Sequence, residues 1–374
     1  SPAGTPDGSH YVIIDGNYQA GFLNDGNLDV CALVINSGAT LSIPATGYIR
    51  VTNNITVDGS LLVEDKGSVV QLNDDAVTVN NGTINIAKET PYMNPRSFLF
   101  SGSPMTAETR EGVFASSYIV RDHITANFIP HPDVQAMFPL AINFADDNGD
   151  NWINHTGTLN PGEGYMHFPQ PDTNGSGIFT HNYTLGTLNN GVVTQPLVYN
   201  GSQYASPNFV SNPYASAINA DLFFADPANA DIDFLYFWDH ITPLSATYPG
   251  YNPLNFNMGD ISRYSQLLGG TPASNGISAP SRVLSSGQGF GVRAANATIT
   301  ATFNNAMRIT GPNDTYRTTE PIERNRLWVR VHNETYDQGS IALIGFTDVS
   351  TDGYNKREDD SRIATPVSIY SEVG

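Results

Sequence analysis

A short acidic segment, Phe144-Ala145-Asp146-Asp147-Asn148-Gly149-Asp150-Asn151-Trp152, has the side chains of a calcium-binding loop. Asp146, Asp147, Asn148 and Asp150 place four oxygen-bearing side chains around one glycine, and Ca²⁺ takes about six to eight oxygen ligands. The spacing differs from that of an EF-hand, because no glutamate stands at the twelfth position. The alternative is a solvated hairpin loop in which Asn-Gly forms an ordinary turn. Ca²⁺ at these four residues is the candidate cofactor.

Two copies of an Asp-His-Ile-Thr string, Asp122-His123-Ile124-Thr125 and Asp239-His240-Ile241-Thr242, raise the question of a catalytic Asp-His pair. Adjacent residues of a strand point to opposite faces of a sheet, so neither aspartate can orient its neighbouring histidine. A triad also needs a nucleophile beside the histidine, and the sequence has no Gly-x-Ser-x-Gly elbow. The repetition therefore favours a structural role for these histidines, such as bonding a turn, and no catalytic residue is predicted.

Aromatic side chains are the third candidate for binding chemistry, with 18 Tyr, 18 Phe and 3 Trp in 374 residues. Tyr248 and Tyr251 lie in the turn-rich string Tyr248-Pro249-Gly250-Tyr251-Asn252-Pro253. Exposed rings beside amide groups can stack on sugar rings while the amides bond the sugar hydroxyls. These two tyrosines are the predicted glycan-binding residues, and the alternative is that their rings pack the loop onto a sheet.

The elements that must position these residues begin with a repeat between Leu33 and Ile86. Short apolar runs start at Leu33, Ile55 and Val77, a spacing of 22 residues each time, with turn-forming corners between them. A period near 22 with about three short strands in each turn predicts a parallel β-solenoid of about three coils. Residues 11–16 predict a strand that caps the start of this solenoid.

After Pro91 the pattern changes to a β-rich layout that occurs twice. Ser103-Pro104 corresponds to Asn212-Pro213, and Gly162-Glu163-Gly164-Tyr165 corresponds to Gly287-Gln288-Gly289-Phe290. Together with the two Asp-His strings, these landmarks recur in the same order at offsets of 109, 117 and 125 residues. The sequence therefore predicts two related antiparallel, β-sandwich-like modules, in which loop insertions increase the offset between corresponding residues along the chain.

The last segment predicts the start of a further β-sandwich. Residues 327–331 alternate in the manner of a half-buried antiparallel strand. Residues 340–346 and 363–370 supply two more strand-like runs, and three strands are too few for a free-standing sandwich. The predicted C-terminal sheet is therefore partial, as if the sandwich were cut off at Gly374.

Composition restricts the functional classes. The formal charge is −19 with only 17 Lys and Arg, so nucleic acid and anionic lipid are poor partners. No apolar run is long enough to span a membrane and no signal peptide is recognisable, so no membrane insertion is predicted. The single cysteine, Cys31, lies in the apolar run 30–34 and is predicted to be a buried thiol.

An ordered set of motifs resembles a known protein family. The set is Asn36-Ser37-Gly38-Ala39-Thr40-Leu41-Ser42-Ile43, Ser211-Asn212-Pro213-Tyr214-Ala215-Ser216-Ala217-Ile218, Tyr236-Phe237-Trp238-Asp239-His240, Gly287-Gln288-Gly289-Phe290-Gly291-Val292-Arg293-Ala294, Phe303-Asn304-Asn305-Ala306-Met307-Arg308, Arg326-Leu327-Trp328 and Thr351-Asp352-Gly353-Tyr354. Together these motifs are similar to those of large extracellular proteins of Bacteroidetes, mostly from flavobacteria, that the type IX secretion system exports. The resemblance implies export, display on or release from the cell surface, and adhesion as the usual function, but no particular reaction. It also implies a C-terminal sorting domain after the Thr351-Asp352-Gly353-Tyr354 strand, so this sequence is expected to be a fragment, a processed product or an ordered portion of such a protein.

These observations predict an all-β extracellular protein. Its predicted parts are a short solenoid with an N-terminal capping strand (1–90), two related β-rich modules (91–205 and 206–318) and a truncated C-terminal sandwich (319–374). The predicted function is non-enzymatic, that of a cell-surface adhesin or a surface-filament component, because unpaired sheet edges favour contact with other chains or adjoining domains. A glycan-binding module, with extracellular glycans as partners, is the first alternative, and a polysaccharide-active enzyme is the second.

Overall fold

β-Strands make up nearly all of the regular structure, as the turn-rich composition predicts. The computed structural model of the protein describes residues 6–20, 27–45, 47–201, 206–294, 296–297, 299–314, 325–335, 338–346, 348, 353, 359 and 361–370. The α-helices are short: α1 (Arg110–Val113), α2 (Pro132–Met137) and α3 (Ala220–Ala225). Of the helices in these residues, none is both long and apolar enough to cross a membrane.

The N-terminal part is a parallel β-solenoid. Its strands are β1 (Tyr11–Ile14), β2 (Asn17–Gln19), β3 (Asn27–Val30), β4 (Ala32–Ile35), β5 (Thr40–Ile43), β6 (Tyr48–Val51), β7 (Ile55–Val57), β8 (Ser60–Val63), β9 (Ser68–Gln71), β10 (Thr78–Asn80) and β11 (Thr83–Glu89). Parallel pairing stacks them into three sheets, β1-β4-β7-β10, β2-β5-β8-β11 and β3-β6-β9. Leu33 pairs with Ile55, which reproduces the 22-residue repeat, so the predicted solenoid of about three coils is confirmed.

Alternation along each solenoid strand sends one set of apolar side chains into a shared core, in which Leu41 and Ile49 are fully buried. The corners need glycine where the coils stack closely. A Cβ atom at Gly82 would lie only 2.0 Å from the carbonyl oxygen of Gly59, the glycine of the preceding corner. The repeat therefore specifies both the core and the spacing of the coils.

Two details of the solenoid go beyond or against the sequence prediction. Strand β1 pairs with β4 in parallel, with Tyr11 opposite Ala32, so it extends the first sheet in the register of the coils. Cys31 is half-buried rather than buried, and its Sγ accepts a hydrogen bond from Asn53 Nδ2 at 3.3 Å. The prediction of a buried thiol is therefore wrong, because Cys31 lies at a corner between two strands.

The rest of the chain forms mainly antiparallel sheets. The first module contains β12 (Leu99–Ser101), β13 (Ile119–His123), β14 (Trp152–Asn154), β15 (Tyr165–Phe168), β16 (Thr180–Tyr183) and β17 (Val193–Pro196). The second contains β18 (Pro207–Ser211), β19 (Ala217–Asn219), β20 (Leu235–Trp238), β21 (Ile261–Ser265), β22 (Gly269–Thr271), β23 (Val283–Leu284), β24 (Gly289–Arg293), β25 (Thr300–Phe303) and β26 (Arg308–Ile309). The main sheets, β12-β15-β13-β14 and β18-β24-β20-β21-β22, share the order of their first four strands, which confirms two related modules.

Both modules cover the last coil of the solenoid. Strand β16 of the first module pairs antiparallel with β11. From the second module, the buried Arg308 donates a hydrogen bond to the Val69 carbonyl at 2.6 Å and lies over the Tyr214 ring. Burial lowers the pKa of Arg308 to about 10, so its guanidinium stays charged at neutral pH. The solenoid and the two modules are therefore joined through buried polar contacts.

The C-terminal part is a hairpin of β27 (Arg326–Asn333) and β28 (Gln338–Gly345), which confirms the antiparallel strand predicted there. The predicted half-buried alternation is wrong, because Leu327 and Val331 are both exposed. The strand-like run 363–370 behaves differently, because the described stretch 361–370 contains no strand. Ile363 instead makes a single parallel bridge with Ile142 of the first module. Only two of the three predicted strands therefore form.

Candidate functional site

The two main sheets meet along their first strands, where main-chain hydrogen bonds cross in both directions. Gly102 N donates to the Gly287 carbonyl at 2.9 Å, and Ser211 N donates to the Gly162 carbonyl at 2.9 Å. Gly102 and Ser211 occupy the same position in the two sequence copies, and so do Gly162 and Gly287. Each module therefore holds the other by the same backbone contact.

The repeated histidines cross this joint as well. His240 Nε2 lies 2.8 Å from the carbonyl oxygen of Phe98. His123 Nδ1 lies 3.2 Å from Thr125 Oγ1, which donates at 2.6 Å to the carbonyl of Pro207, the counterpart of Phe98 in the second copy. Desolvation lowers the pKa of His123 to about 3, and the nearby carbonyl of Pro207 opposes this shift only in part. Both contacts agree with a structural role for the Asp-His strings.

A cavity of about 530 Å³ opens between the two modules beside this joint. Phe100 and Phe209, which are counterparts in the two copies, line it as a stacked pair with ring centroids 4.2 Å apart and an interplanar angle of 7°. The volume lies within the range of small-molecule sites, about 300–1,000 Å³. The cavity is therefore large enough to hold a ligand of the size of one or a few rings.

Further aromatic rings extend the Phe100–Phe209 pair to both sides of the cavity. Trp152 lies 5.3 Å from Phe209, and Phe98 lies 5.5 Å from Phe100 and 5.7 Å from Trp238. We call the resulting set the aromatic row: Trp152, Phe209, Phe100, Phe98, Trp238 and Phe256. All of these rings except that of Phe98 are only half-buried, so they present apolar faces to the cavity.

The predicted calcium loop lies at the edge of this cavity, and its polar groups bond within the protein. Asp146 lines the cavity and accepts hydrogen bonds from the backbone N of Tyr251 and from Asn151 Nδ2, both at 3.3 Å. Asn148 Nδ2 donates to Asp150 Oδ1, whereas Asp147 is exposed. Among the residues that the structure describes, no group of three or more His, Cys, Asp or Glu side chains could hold a metal ion. Calcium binding stays a prediction.

The predicted glycan-binding tyrosines lie on a neighbouring loop. The exposed Tyr251 ring packs over Gly149, where an added Cβ would lie 2.4 Å from the ring. Tyr248 is half-buried, and its carbonyl accepts a hydrogen bond from Asn255. The fold thus brings together the acidic loop and the tyrosine loop. In the tyrosine loop, the cavity is lined by Pro249 and residues 252–256, and neither Tyr248 nor Tyr251 is among its lining residues.

Two arginines add positive charge to the lining. Arg121 Nη1 donates to the Trp152 carbonyl at 3.2 Å, and the exposed Arg96 lies at the same cavity. Aromatic faces can stack on the C–H faces of a sugar ring, while guanidinium and amide groups bond its oxygens. The lining is therefore suited to a ligand with flat apolar faces and polar edges.

Sequence reasoning missed the aromatic row, since its six members are spread over residues 98–256 and belong to different loops and strands. One signal was available. Phe100 and Phe209 occupy the same position in both copies, two residues before Gly102 and Ser211. A ring at equivalent positions of two modules indicates a contact near the line where the copies meet.

The fold is a short parallel β-solenoid joined to two related β-modules, and comparison with known families adds one match. Residues 1–374 match a family described as a domain of unknown function (DUF8693), and the chain belongs to that family. A comparison with curated proteins gives no significant match, and neither does one with solved structures.

Proposed function

We propose that this protein is an exported cell-surface adhesin that binds saccharides in the cavity between its two β-modules. The observation that carries the proposal is the aromatic row, in which Phe100 and Phe209 are stacked, Trp152 packs beside Phe209 at a tilt and Phe98 packs edge-on against Phe100. Sugar rings offer C–H faces that pack on half-buried aromatic rings, and their hydroxyls need polar groups such as those that line the same cavity. Export and surface display rest on the motif resemblance described above.

Intrinsic tryptophan fluorescence tests the proposal directly, because two of the three tryptophans, Trp152 and Trp238, line the cavity and Trp328 lies on the C-terminal hairpin. We expect a saturable change in emission when the protein is titrated with oligosaccharides from a panel of extracellular polysaccharides. Trp152→Phe and Trp238→Phe should each reduce the change, and Trp328→Phe is the matched control that should keep it. The sugar is recovered after the titration and analysed by chromatography. An uncleaved sugar indicates binding, and shorter products indicate turnover.

Binding affinity is measured on a second set of variants. Phe209→Ala removes one half of the stacked pair and should weaken binding about tenfold or more, since central aromatic contacts dominate such sites. Val79→Ala, on the exposed side of the solenoid, should leave affinity unchanged. A panel on which no saccharide binds, or equal affinity of the Phe209→Ala protein and the wild type, would sink the proposal.

Assembly into a filament is a second candidate, because β1, β2 and β3 are the outermost strands of the three solenoid sheets. An outer strand presents main-chain donors and acceptors to which another strand can pair. Light scattering across a range of protein concentrations tests this idea. Concentration-dependent oligomers that are lost in Ile13→Lys, a change at an exposed position of β1, would support assembly, and a monomer at all concentrations would refute it.

A further inference from the structure

We infer that the saccharide taken by this cavity is anionic, and that Arg121 binds its carboxylate or sulfate group. This inference rests on the proposed function and names the ligand class. Strand β13 places Arg121 between Ile119 and His123, and all three residues line the cavity. Val120, which lies between Ile119 and Arg121, is buried on the other face of the strand, as the alternation of side chains along a strand requires.

The Arg121 guanidinium is oriented but not neutralised. Its Nη1 donates to the Trp152 carbonyl, and its other N–H groups have no hydrogen-bond partner within the described part of the chain. No carboxylate in that part forms an ion pair with it, or with Arg96 at the same cavity. A planar guanidinium held in this way keeps donors free for a bidentate bond to an oxyanion.

Asp146, the acidic residue of the lining, forms no ion pair with Arg121 or Arg96. The two carboxylate oxygens of Asp146 already accept hydrogen bonds from Tyr251 N and Asn151 Nδ2. The chain carries 36 Asp and Glu against 17 Lys and Arg, whereas the described lining of the cavity holds two arginines, Arg96 and Arg121, and one acidic residue, Asp146. Their position at the cavity is therefore informative about the ligand.

The duplication adds a second argument. The position of Arg121 corresponds to Trp238 in the second copy, by the 117-residue offset of the two Asp-His strings. The same strand position thus faces the cavity as a cation from one module and as an indole from the other. A ligand with a charged substituent at one end and an uncharged ring at the other matches this difference.

Matched ligands provide the test. An oligouronate is compared with its carboxyl-reduced form, and a sulfated oligogalactan with its desulfated form, because each pair keeps the sugar rings and removes the charge. Kd values come from isothermal titration calorimetry with the whole chain. The wild type should bind one of the two anionic ligands more tightly than its neutral form. A preference within the uronate pair indicates a carboxylate ligand, and a preference within the galactan pair indicates a sulfate ligand. Arg121→Gln should reduce that preference about tenfold or more.

Two further variants keep the result interpretable. Arg50→Gln makes the same chemical change on the solenoid, where Arg50 pairs with Asp29 at 2.8 Å, and should leave the preference unchanged. Arg121→Lys keeps the charge without the planar fork and should give an intermediate preference. Equal binding of charged and neutral ligands by the wild type, with loss of both in Phe209→Ala, would overturn the anionic inference alone. Absence of binding to every ligand would overturn the proposed function together with it.

Discussion

Two buried histidines next to the solenoid should make the protein sensitive to mild acid. His181 on β16 and His167 on β15 are buried with their rings 5.0 Å apart, and His181 Nδ1 donates to the Val113 carbonyl at 3.2 Å. Burial lowers the pKa of His181 to about 4, and the hydrogen bond opposes this shift only in part. Burial also lowers the pKa of His167, with a smaller contribution from the neighbouring His181.

The sign and size of the effect follow from proton linkage. An unfolded histidine titrates near pH 6.5, so between pH 6.5 and about 4 the unfolded chain binds a proton that folded His181 does not. The free energy of unfolding therefore falls by about 1.4 kcal/mol for each pH unit in this window. From pH 7 to pH 5 the loss due to His181 is about 2 kcal/mol, and it reaches about 3 kcal/mol near pH 4.

His181→Asn isolates this contribution, since an asparagine amide can still donate to the Val113 carbonyl but does not titrate. Urea unfolding followed by tryptophan fluorescence at pH 7 and pH 5 gives the free energy of unfolding of each protein. We expect the loss between the two pH values to be about 2 kcal/mol smaller in the variant than in the wild type. His10→Asn, at a side chain that is 56% exposed, is the matched control and should behave like the wild type.

An equal loss of stability in wild type and His181→Asn between pH 7 and pH 5 would refute the reasoning. It would mean that the folded protein protonates His181 as readily as the unfolded chain does, which a histidine with 3% exposure cannot do without opening its surroundings.

Three further perturbations act on the packing between coils and modules, and each is measured by urea unfolding against wild type. Arg308→Met leaves buried acceptors without their donor and should lower the free energy of unfolding by about 2–4 kcal/mol; no change would show that water replaces the guanidinium. Gly82→Ala places a methyl group against the Gly59 carbonyl and should cost about 2 kcal/mol or more, unlike Gly16→Ala, where nothing lies within 4 Å. His240→Ala removes one bond across the module joint and should cost about 1–3 kcal/mol, and a neutral result would contradict its structural role.

Local periodicity explains how much of the fold could be predicted. The 22-residue repeat fixes which residues stack, so the pairing of Leu33 with Ile55 followed from the sequence. The repeated landmarks predicted two related modules, because shared strand order preserves turns such as those before Tyr165 and Phe290. The run 363–370 was harder to predict, since its bridge partner Ile142 is more than 200 residues away and no local pattern identifies it.

The cavity could not be predicted because it is created by docking. Its walls come from two sheets joined by main-chain bonds such as Gly102 N to the Gly287 carbonyl, and main-chain bonds leave no mark in side-chain patterns. The tyrosine and acidic loops were singled out separately, yet the contact between Tyr251 and Gly149 spans about a hundred residues and appears only in three dimensions. Sequence reasoning therefore identified residues at the edge of the site and missed its centre.

The reciprocal joint also bears on how this architecture could arise. In a two-fold symmetric dimer, if position i of one subunit contacts position j of the other, then position j of the first also contacts position i of the second, which is called an isologous contact. The pairs Gly102–Gly287 and Ser211–Gly162 have this form within a single chain. If two identical subunits were joined by a linker, the interface would become permanent. The two halves would then be encoded separately, so each could acquire its own substitutions. Arg121 and Trp238, which stand at the same position of the two copies and both line the cavity, show such a difference between the halves.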